Sequence, residues 1–479
     1  MNVEGMEGIK AKTKPIFWRL RPSERQIILL IGDTFMGFLA LFIALVVWSR
    51  EDWLRLSLSF LVERTPTWFF LTPFLWLLLS IELYDVRRAS RRSETLKGVA
   101  LAAGLSLGLY LLVYFSSDPN SLPRLGVAVF ILAVSILTII WRFIYIRIFT
   151  APVFMRRVLI IGAGRAGENL VQVIDSIWPL PFYLVGLIDD DPAKRDMEFG
   201  THKVLGSSQD LLEIIERERI SDLVFAISGE MNPEMFQAVL TAEECGVEVT
   251  TMPLVYEELL GRVPILMLQS DWILRSFVDQ AHANSFYELA KRLIDILGSL
   301  FGLAALVILY PFIALLIVLD DGFPIIYKQE RLGKNGKPYD IIKFRTMIKE
   351  AEKEGKALVA TKNDSRITRV GNFLRKSHVD EFPQFLNVLR GEMSLVGPRA
   401  ERVELVNKLQ TKVPFYRARL FVKPGLTGWA QVNYGYAETV EDTTIKLEYD
   451  LYYIKHRNLM LDLLTIFRTA GTVFGLRGQ

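Results

Sequence analysis

Asp380 and Glu381 are adjacent carboxylates in the stretch Arg375 to Glu401, which reads RKSHVDEFPQFLNVLRGEMSLVGPRAE. A carboxylate can attack phosphorus as a nucleophile or hold a hard divalent cation through oxygen, and neighbouring residues outside regular helix can point to different sides, so each acid can take one task. Arg375, Lys376 and Arg399 bracket the pair and suit phosphate oxygens, the arginines through paired hydrogen bonds. Lys343 and Arg345, two positions apart on a predicted strand, and Lys423 in the turn Lys423 to Trp429 extend this cationic set. A solvated strand face or a purely structural turn accounts for these three equally well. Phe382, Phe385, Leu386 and Leu389 recur at helical spacing, with Pro383 suited to the first helical position and Phe382 to the N-cap. Both acids are then expected just before a helix N-terminus, where free N–H groups favour anions. An acid pair there is most often solvated capping chemistry, so its context must decide.

The elements that position these groups lie in a long, apolar chain. Its 479 residues are too many for one core and are 51% hydrophobic, which indicates a membrane protein of several domains. The net charge of +3 is uninformative, but Lys328 to Arg399 carries sixteen Lys/Arg against nine Asp/Glu, an excess suited to phosphate ligands or an anionic lipid surface. No nucleic-acid partner is expected. Cys245 is the only cysteine, so no internal disulfide forms, and its place before Gly246 suits a packed thiol. The four histidines, His202, His282, His378 and His456, have no ligand-like spacing, which argues against a zinc site.

A basic segment, residues 1–25, leads into the apolar run Ile27 to Trp48, too long for a signal-peptide core. Further spans are predicted at Thr67 to Tyr84, Gly98 to Phe115 and Leu125 to Trp141, giving a four-helix transmembrane domain over residues 26–150. The basic loop Arg87 to Arg92 and the exit with Arg142, Arg147, Arg156 and Arg157 put both ends of this domain in the cytoplasm, and no polar relay is evident within the spans. Residues 151–255 read as a Rossmann-like domain. Strand Val158 to Ile161 is followed by the glycine fingerprint Gly162, Gly164 and Gly167, and strand Tyr183 to Ile188 ends at Asp189, where a ribose-binding acid would lie. Further alternation is predicted as helix Gln209 to Arg219, strand Asp222 to Ile227, helix Pro233 to Cys245 and strand Val247 to Thr251. Nucleotide binding and a structural or regulatory role both fit this domain. Residues 256–290, with Trp272, Arg275 and Phe277, suit a linker at the membrane surface.

The element over residues 291–319 carries the next apolar run, Leu293 to Leu319, interrupted by Pro311, with Lys291 and Arg292 before it and Lys328, Arg331, Lys334 and Lys337 after it. A helix bent at Pro311 can enter and leave by one face, and a fifth crossing is the alternative. Near the C-terminus, Leu459 to Phe474 is apolar enough to lie in the interface or to serve as a core helix.

Taken in order, Lys343 to Met347, Asp364 to Gly371, the dyad stretch, Gly397 to Arg399 and Lys423 to Trp429 make the region from Lys291 onward resemble the bacterial sugar transferase family. These are the monotopic phosphoglycosyl transferases that start glycan assembly, and the long form resembles the undecaprenyl-phosphate galactose and glucose phosphotransferases. Ala400 stands where the family commonly has a second proline. The resemblance implies an α/β membrane protein with four transmembrane helices, a Rossmann-like parallel α/β domain and a catalytic α/β domain, residues 291–479, that carries a re-entrant helix. It also implies transfer of hexose-1-phosphate from a UDP-hexose to undecaprenyl phosphate in the bacterial inner membrane, with soluble parts in the cytoplasm. In that reaction Asp380 is the nucleophile, Glu381 the Mg2+ ligand, and Arg375, Lys376, Arg399, Lys343, Arg345 and Lys423 the phosphate binders. Membrane lipids, and a second copy in a homodimer, are the other partners implied. Two other classes fit the same residues: direct displacement with Asp380 as base or metal ligand, and a nucleotide-sensing scaffold for polysaccharide export.

Overall fold

Proline and buried charge decide where the predicted helices hold and where they break. The computed structural model describes residues 22–117, 123–149, 155–177, 180, 182–227, 231–266, 285–349, 364–435 and 439–473, and divides into two compact units, Met1–Val255 and Tyr256–Gln479. The basic segment up to residue 21 and Trp272, Arg275 and Phe277 lie outside the described residues.

The first unit begins with α1 (Pro22–Ser49), α2 (Thr72–Leu79), α3 (Arg92–Ser116) and α4 (Arg124–Phe149). Helices α1, α3 and α4 are long and apolar enough to cross a membrane. The predicted second span is not one helix. Thr67–Leu71 and Ile81–Tyr84 are 3-10 turns on either side of the short α2, with Pro66 at the first N-cap, Pro73 at the start of α2 and the Ser80 hydroxyl donating back to the Trp76 carbonyl at 2.6 Å.

The spans also hold a polar group that the apolar pattern concealed. Arg142 of α4 and Asp33 of α1 are fully buried and paired at 2.5 Å, and Arg142 also donates to the Leu83 carbonyl at 2.6 Å. One residue before Asp33, a Cβ on Gly32 would lie 2.1 Å from the Trp141 ring, so α1 and α4 meet at a contact that only glycine permits.

The same unit contains strands β1 (Arg156–Ile161), β2 (Phe182–Ile188), β3 (Asp222–Phe225) and β4 (Glu248–Thr251) in a parallel sheet of order β2-β1-β3-β4, with α5 (Arg165–Ser176), α6 (Leu211–Glu218) and α7 (Pro233–Glu244) as crossovers. Its core is built from Leu159, Ile161, Leu223, Ile214 and Val239, apolar residues at strand and helix periods. The glycine turn follows the central strand β1, at the point where the strand order reverses.

The chain reaches the second unit through α8 (Met252–Leu260). Residues 256–266, predicted as linker, are part of this unit: Glu257 is buried against Lys455 and His456, each at 2.7 Å, and the Trp429 indole donates to the Gly261 carbonyl at 2.8 Å. A buried ion pair and a satisfied indole are core contacts, which a free linker does not make. The order continues as α9 (Ser285–Asp321), β5 (Ile326–Leu332), β6 (Pro338–Phe344), α10 (Arg369–Lys376), α11 (Phe385–Arg390), β7 (Ser394–Val396), α12 (Val403–Leu409), β8 (Gly425–Thr427), α13 (Val440–His456) and α14 (Leu459–Val473). Strands β5 and β6 form an antiparallel hairpin, while β7 and β8 pair in parallel. Leu447, Leu451 and Tyr453 of α13 and Leu461 of α14 pack with Val396, Val422 and Trp429, so α14 serves this core.

Helix α9 runs for 37 residues, about 55 Å at helical rise, with Pro311 inside it. The same globular unit holds it along its length. Arg292 donates to the carbonyls of Val388 and Leu389, and Asp295 accepts from Ser394 and the Leu395 N–H. Ile313 and Ile317 pack on Phe344 and Leu374, and Asp320 accepts the Val370 N–H at 2.9 Å. Its other face exposes Leu297, Phe301, Val307, Ile308, Phe312 and Leu319. By length and composition α9, like α1, α3 and α4, is apolar enough to cross a membrane.

Candidate active site

Strand periodicity and one buried amide bring the cation to the acids. Along β6 the alternate residues Tyr339 and Ile341 pack on Val388 of α11, and Lys343 continues that alternation toward the dyad. Asn387 of α11 is fully buried and fixes the register: its Oδ1 accepts the Ile342 N–H at 3.1 Å while its Nδ2 donates to the Asp340 carbonyl at 2.8 Å and to Glu392 at 2.7 Å. Lys343 Nζ then reaches Glu381 Oε1 at 2.8 Å. Arg399 donates to the same oxygen, also at 2.8 Å.

The acids do not precede a helix as the pattern predicted. They lie inside a 3-10 turn, Val379–Gln384, capped by His378 in the left-handed region (φ 57°), and α11 follows from Phe385. The preference of a residue before proline against helical backbone is a bias, and a 3-10 turn accommodates Phe382–Pro383. Asp380 points into protein and is 8% exposed, yet among the described residues no hydrogen bond or ion pair holds its carboxylate. Burial, and then the charge of Glu381, push its pKa up, against Lys343 and Arg375. For Glu381, burial also opposes ionisation, but Arg399 and Lys343 outweigh it and hold the carboxyl well below the usual range. The dyad is thus chemically split, one carboxylate neutralised and fixed and the other unbound. Lys343 itself is pushed down by burial, with Glu381 opposing.

The motifs around the dyad are explained by close packing. Asp364 clasps Arg366 at 2.6 Å, Thr368 caps α10 by accepting the Gly371 N–H at 3.0 Å, and a Cβ on Gly371 would lie 2.1 Å from the Thr346 carbonyl. Arg375 donates to the Thr346 hydroxyl at 2.9 Å and adds its charge near Asp380. Glycines in the Lys423 to Trp429 turn serve the turn that carries Arg399: a Cβ on Gly425 would meet the Gly397 nitrogen at 2.1 Å, and one on Gly428 the Gly397 carbonyl at 2.3 Å.

Of the predicted site residues, Asp380, Glu381, Lys343, Arg375 and Arg399 come together. Arg345 does not join them. Strand β6 ends at Phe344, so the alternation lapses, and the buried Arg345 guanidinium binds the carbonyls of Asp321, at 3.0 Å, and Gly322 at the end of α9. Lys376 is exposed at the end of α10 and makes no ion pair among the described residues. Lys423 stands beside Gly391 and Arg292 at the far end of α11 from the dyad, its pKa lowered by burial and by Arg292. In the first unit, Gly162 has φ +106°, Gly167 lies against the Gly162 carbonyl, where a Cβ would come within 2.1 Å, and Gly164 faces open space. Asp189 is turned onto this loop: it accepts the N–H groups of Ala163 at 2.7 Å and Asp191 at 2.9 Å, and pairs with Lys194 at 3.0 Å. That is a structural occupation of the predicted ribose ligand. The sequence reading missed Asn387, Arg292 and Thr346; the interruption of an apolar stretch by Asn387 was the only signal among them.

Residues 286–476 match the model of the bacterial sugar transferase family, and residues 79–253 match that of a CoA-binding domain. The chain is 41% identical over 224 residues to UDP-N-acetylgalactosamine-undecaprenyl-phosphate N-acetylgalactosaminephosphotransferase of Aeromonas hydrophila, covering 46% of this chain and 52% of that one. It is 32% identical over 281 residues to UDP-glucose:undecaprenyl-phosphate glucose-1-phosphate transferase of Xanthomonas campestris pv. campestris, covering 57% and 56%. With the enzyme of that name from Klebsiella pneumoniae it shares 33% identity over 327 residues, covering 66% and 67%. The chain thus spans about half the length of the first two relatives and two-thirds of the third. By this match and by the motifs that build the dyad, the chain belongs to the bacterial sugar transferase family.

Proposed function

We propose that this protein transfers a sugar-1-phosphate from a UDP-sugar to undecaprenyl phosphate, releasing UMP, as the first membrane step in assembling an exported polysaccharide. The names of the relatives support this substrate class, and they divide between glucose, galactose and N-acetylgalactosamine as the sugar. The observation that carries the mechanism is the division of the dyad into a fixed Glu381 and an unbound, buried Asp380. An Asp380 oxygen attacks the sugar-bearing phosphorus, the bond from that phosphorus to the bridging oxygen breaks, and UMP leaves with the electron pair. The phosphosugar then rests on Asp380 until an oxygen of the lipid phosphate attacks the same phosphorus and frees the carboxylate. Burial and the adjacent Glu381 raise the basicity of Asp380, which strengthens it as a nucleophile. Lys343, Arg399 and Arg375 surround the dyad with positive charge for the diphosphate.

The donor set fits a magnesium ion. Glu381 Oε2 takes no hydrogen bond among the described residues, and magnesium commonly uses one or two carboxylates with substrate phosphates supplying the rest. Glu381 would hold it, and it would supply charge neutralisation on the diphosphate. In this reading the exposed apolar face of α9 enters the bilayer from one side, and the basic loop at Arg87 to Arg92 and the basic exit of α4 support a cytoplasmic orientation, on the side where UDP-sugars are found.

The test is an exchange reaction in detergent with magnesium, UDP-sugar and labelled UMP, without lipid acceptor. Label entering the UDP-sugar, and lost with Asp380→Asn, supports the covalent route. Normal turnover with lipid but no exchange without it refutes that route in favour of direct displacement, and no turnover with any UDP-hexose refutes the substrate assignment.

A further inference from the structure

Arg399 projects from a turn whose carbonyls are held one after another. The Arg399 carbonyl accepts from Arg419 at 3.0 Å, the Ala400 carbonyl from Arg331 at 3.2 Å, and the Glu401 carbonyl from the Leu332 N–H at 3.2 Å. On the preceding side, the Gly425 N–H donates to the Pro398 carbonyl at 2.9 Å. Arg419 is the clamp on Arg399 itself. It is buried at 7% exposure and comes from a 3-10 turn, Tyr416–Phe421, entered through Phe415 in the left-handed region (φ 60°).

Its guanidinium is used in several directions at once. One terminal nitrogen donates to both the Arg399 carbonyl and Asp450 Oδ2, the latter at 2.8 Å, and the other donates to the Tyr416 hydroxyl at 2.9 Å, with Glu401 at 3.5 Å. Asp450 is 3% exposed in the second half of α13 and has Arg419 as its ion-pair partner. A buried carboxylate that orients a buried guanidinium, which in turn grips the backbone of the residue touching Glu381, is a relay of fixed geometry.

We propose that Arg419, anchored by Asp450 and Tyr416, is a positioning residue that sets Arg399 against Glu381 for the transfer reaction. The inference rests on the reaction proposed above. A merely structural role predicts loss of stability alone; a positioning role predicts that Arg419 acts only through Arg399.

The experiment uses the full chain in nanodiscs, with Arg419→Met, Arg399→Met, the double variant, and Asp450→Asn as a near-isosteric second variant in case Arg419→Met does not fold. UMP release is measured at saturating UDP-sugar and lipid phosphate, and amide exchange of segments 394–402 and 423–427 is followed in parallel. Arg419→Met is expected to lower turnover about tenfold, and the double variant to be no slower than Arg399→Met, because a residue that works through another adds nothing once that other is gone. Amide exchange in both segments should quicken in Arg419→Met and in Asp450→Asn. Losses that multiply in the double variant, or unchanged exchange in both segments, overturn the proposal. A wild type inactive with every UDP-sugar refutes the reaction instead, while the exchange data still decide whether Arg419 holds the turn.

Discussion

Replacing Lys343 by methionine removes one of two cations that share a single oxygen of Glu381, and its cost can be worked from the geometry. At 2.8 Å two unit charges in an effective dielectric near 20 attract by about 6 kcal/mol. Burial gives most of that back, since both groups lose water to meet: Lys343 is 19% exposed and Glu381 14%. Arg399 remains on the same oxygen, so Glu381 stays ionised at neutral pH and the loss falls on its orientation. A remainder of about 2 kcal/mol corresponds to a rate about 30-fold lower. Initial rates of UMP release by wild type, Lys343→Met and Lys343→Arg, each at matched melting temperature, check this. Lys343→Arg keeps the charge and should recover part of the loss. A Lys343→Met enzyme within twofold of wild type would refute the claim that this ion pair fixes the dyad.

Two further predictions concern buried carboxylates. Glu448 of α13 is pushed up from 4.5 to about 7 by burial, with Arg262 opposing, so the folded protein binds its proton more tightly than the unfolded chain does. Stability from this group is therefore greatest below the unfolded value and falls as pH rises from about 4.5 to about 7, by on the order of 3 kcal/mol. Melting at pH 5 and pH 8 should show a larger drop for wild type than for Glu448→Gln, and equal drops would contradict it. In the membrane unit, Asp33→Asn or Arg142→Met leaves a fully buried partner uncompensated and should cost about 3 to 5 kcal/mol, whereas the double replacement should recover much of it. Detergent melting of the three variants tests this, and a double variant as unstable as the sum of the singles would count against the pairing.

The dyad, its basic surroundings and the parallel α/β order were legible because types and spacing suffice for them: Asp380 and Glu381 are adjacent, and the strands alternate with helices at the expected periods. What escaped reading depended on where backbone carbonyls end up. Arg345 and Lys343 look alike on a strand, but only the structure shows that β6 stops between them and that the end of α9 presents two carbonyls to Arg345. Hydropathy likewise gave Thr67 to Tyr84 as one span, because window averages do not register that Pro66, Pro73 and Ser80 divide it. Asp33 and Arg142 escaped for a related reason: the first is a single charge in an apolar run, the second reads as part of the basic exit after Trp141, and only packing reveals that they meet across 109 positions of sequence.

The grip of Arg292 on the last carbonyls of α11, with Phe385 packed where a Cβ on Gly302 would come within 2.5 Å, ties α9 to the helix that follows the dyad. Under the proposed reaction, the acceptor phosphate drifts in a plane at headgroup height while the sugar donor arrives from water. With α9 seated in the bilayer as proposed, the height of Asp380 above the hydrocarbon follows the depth of α9 through this one mechanical linkage.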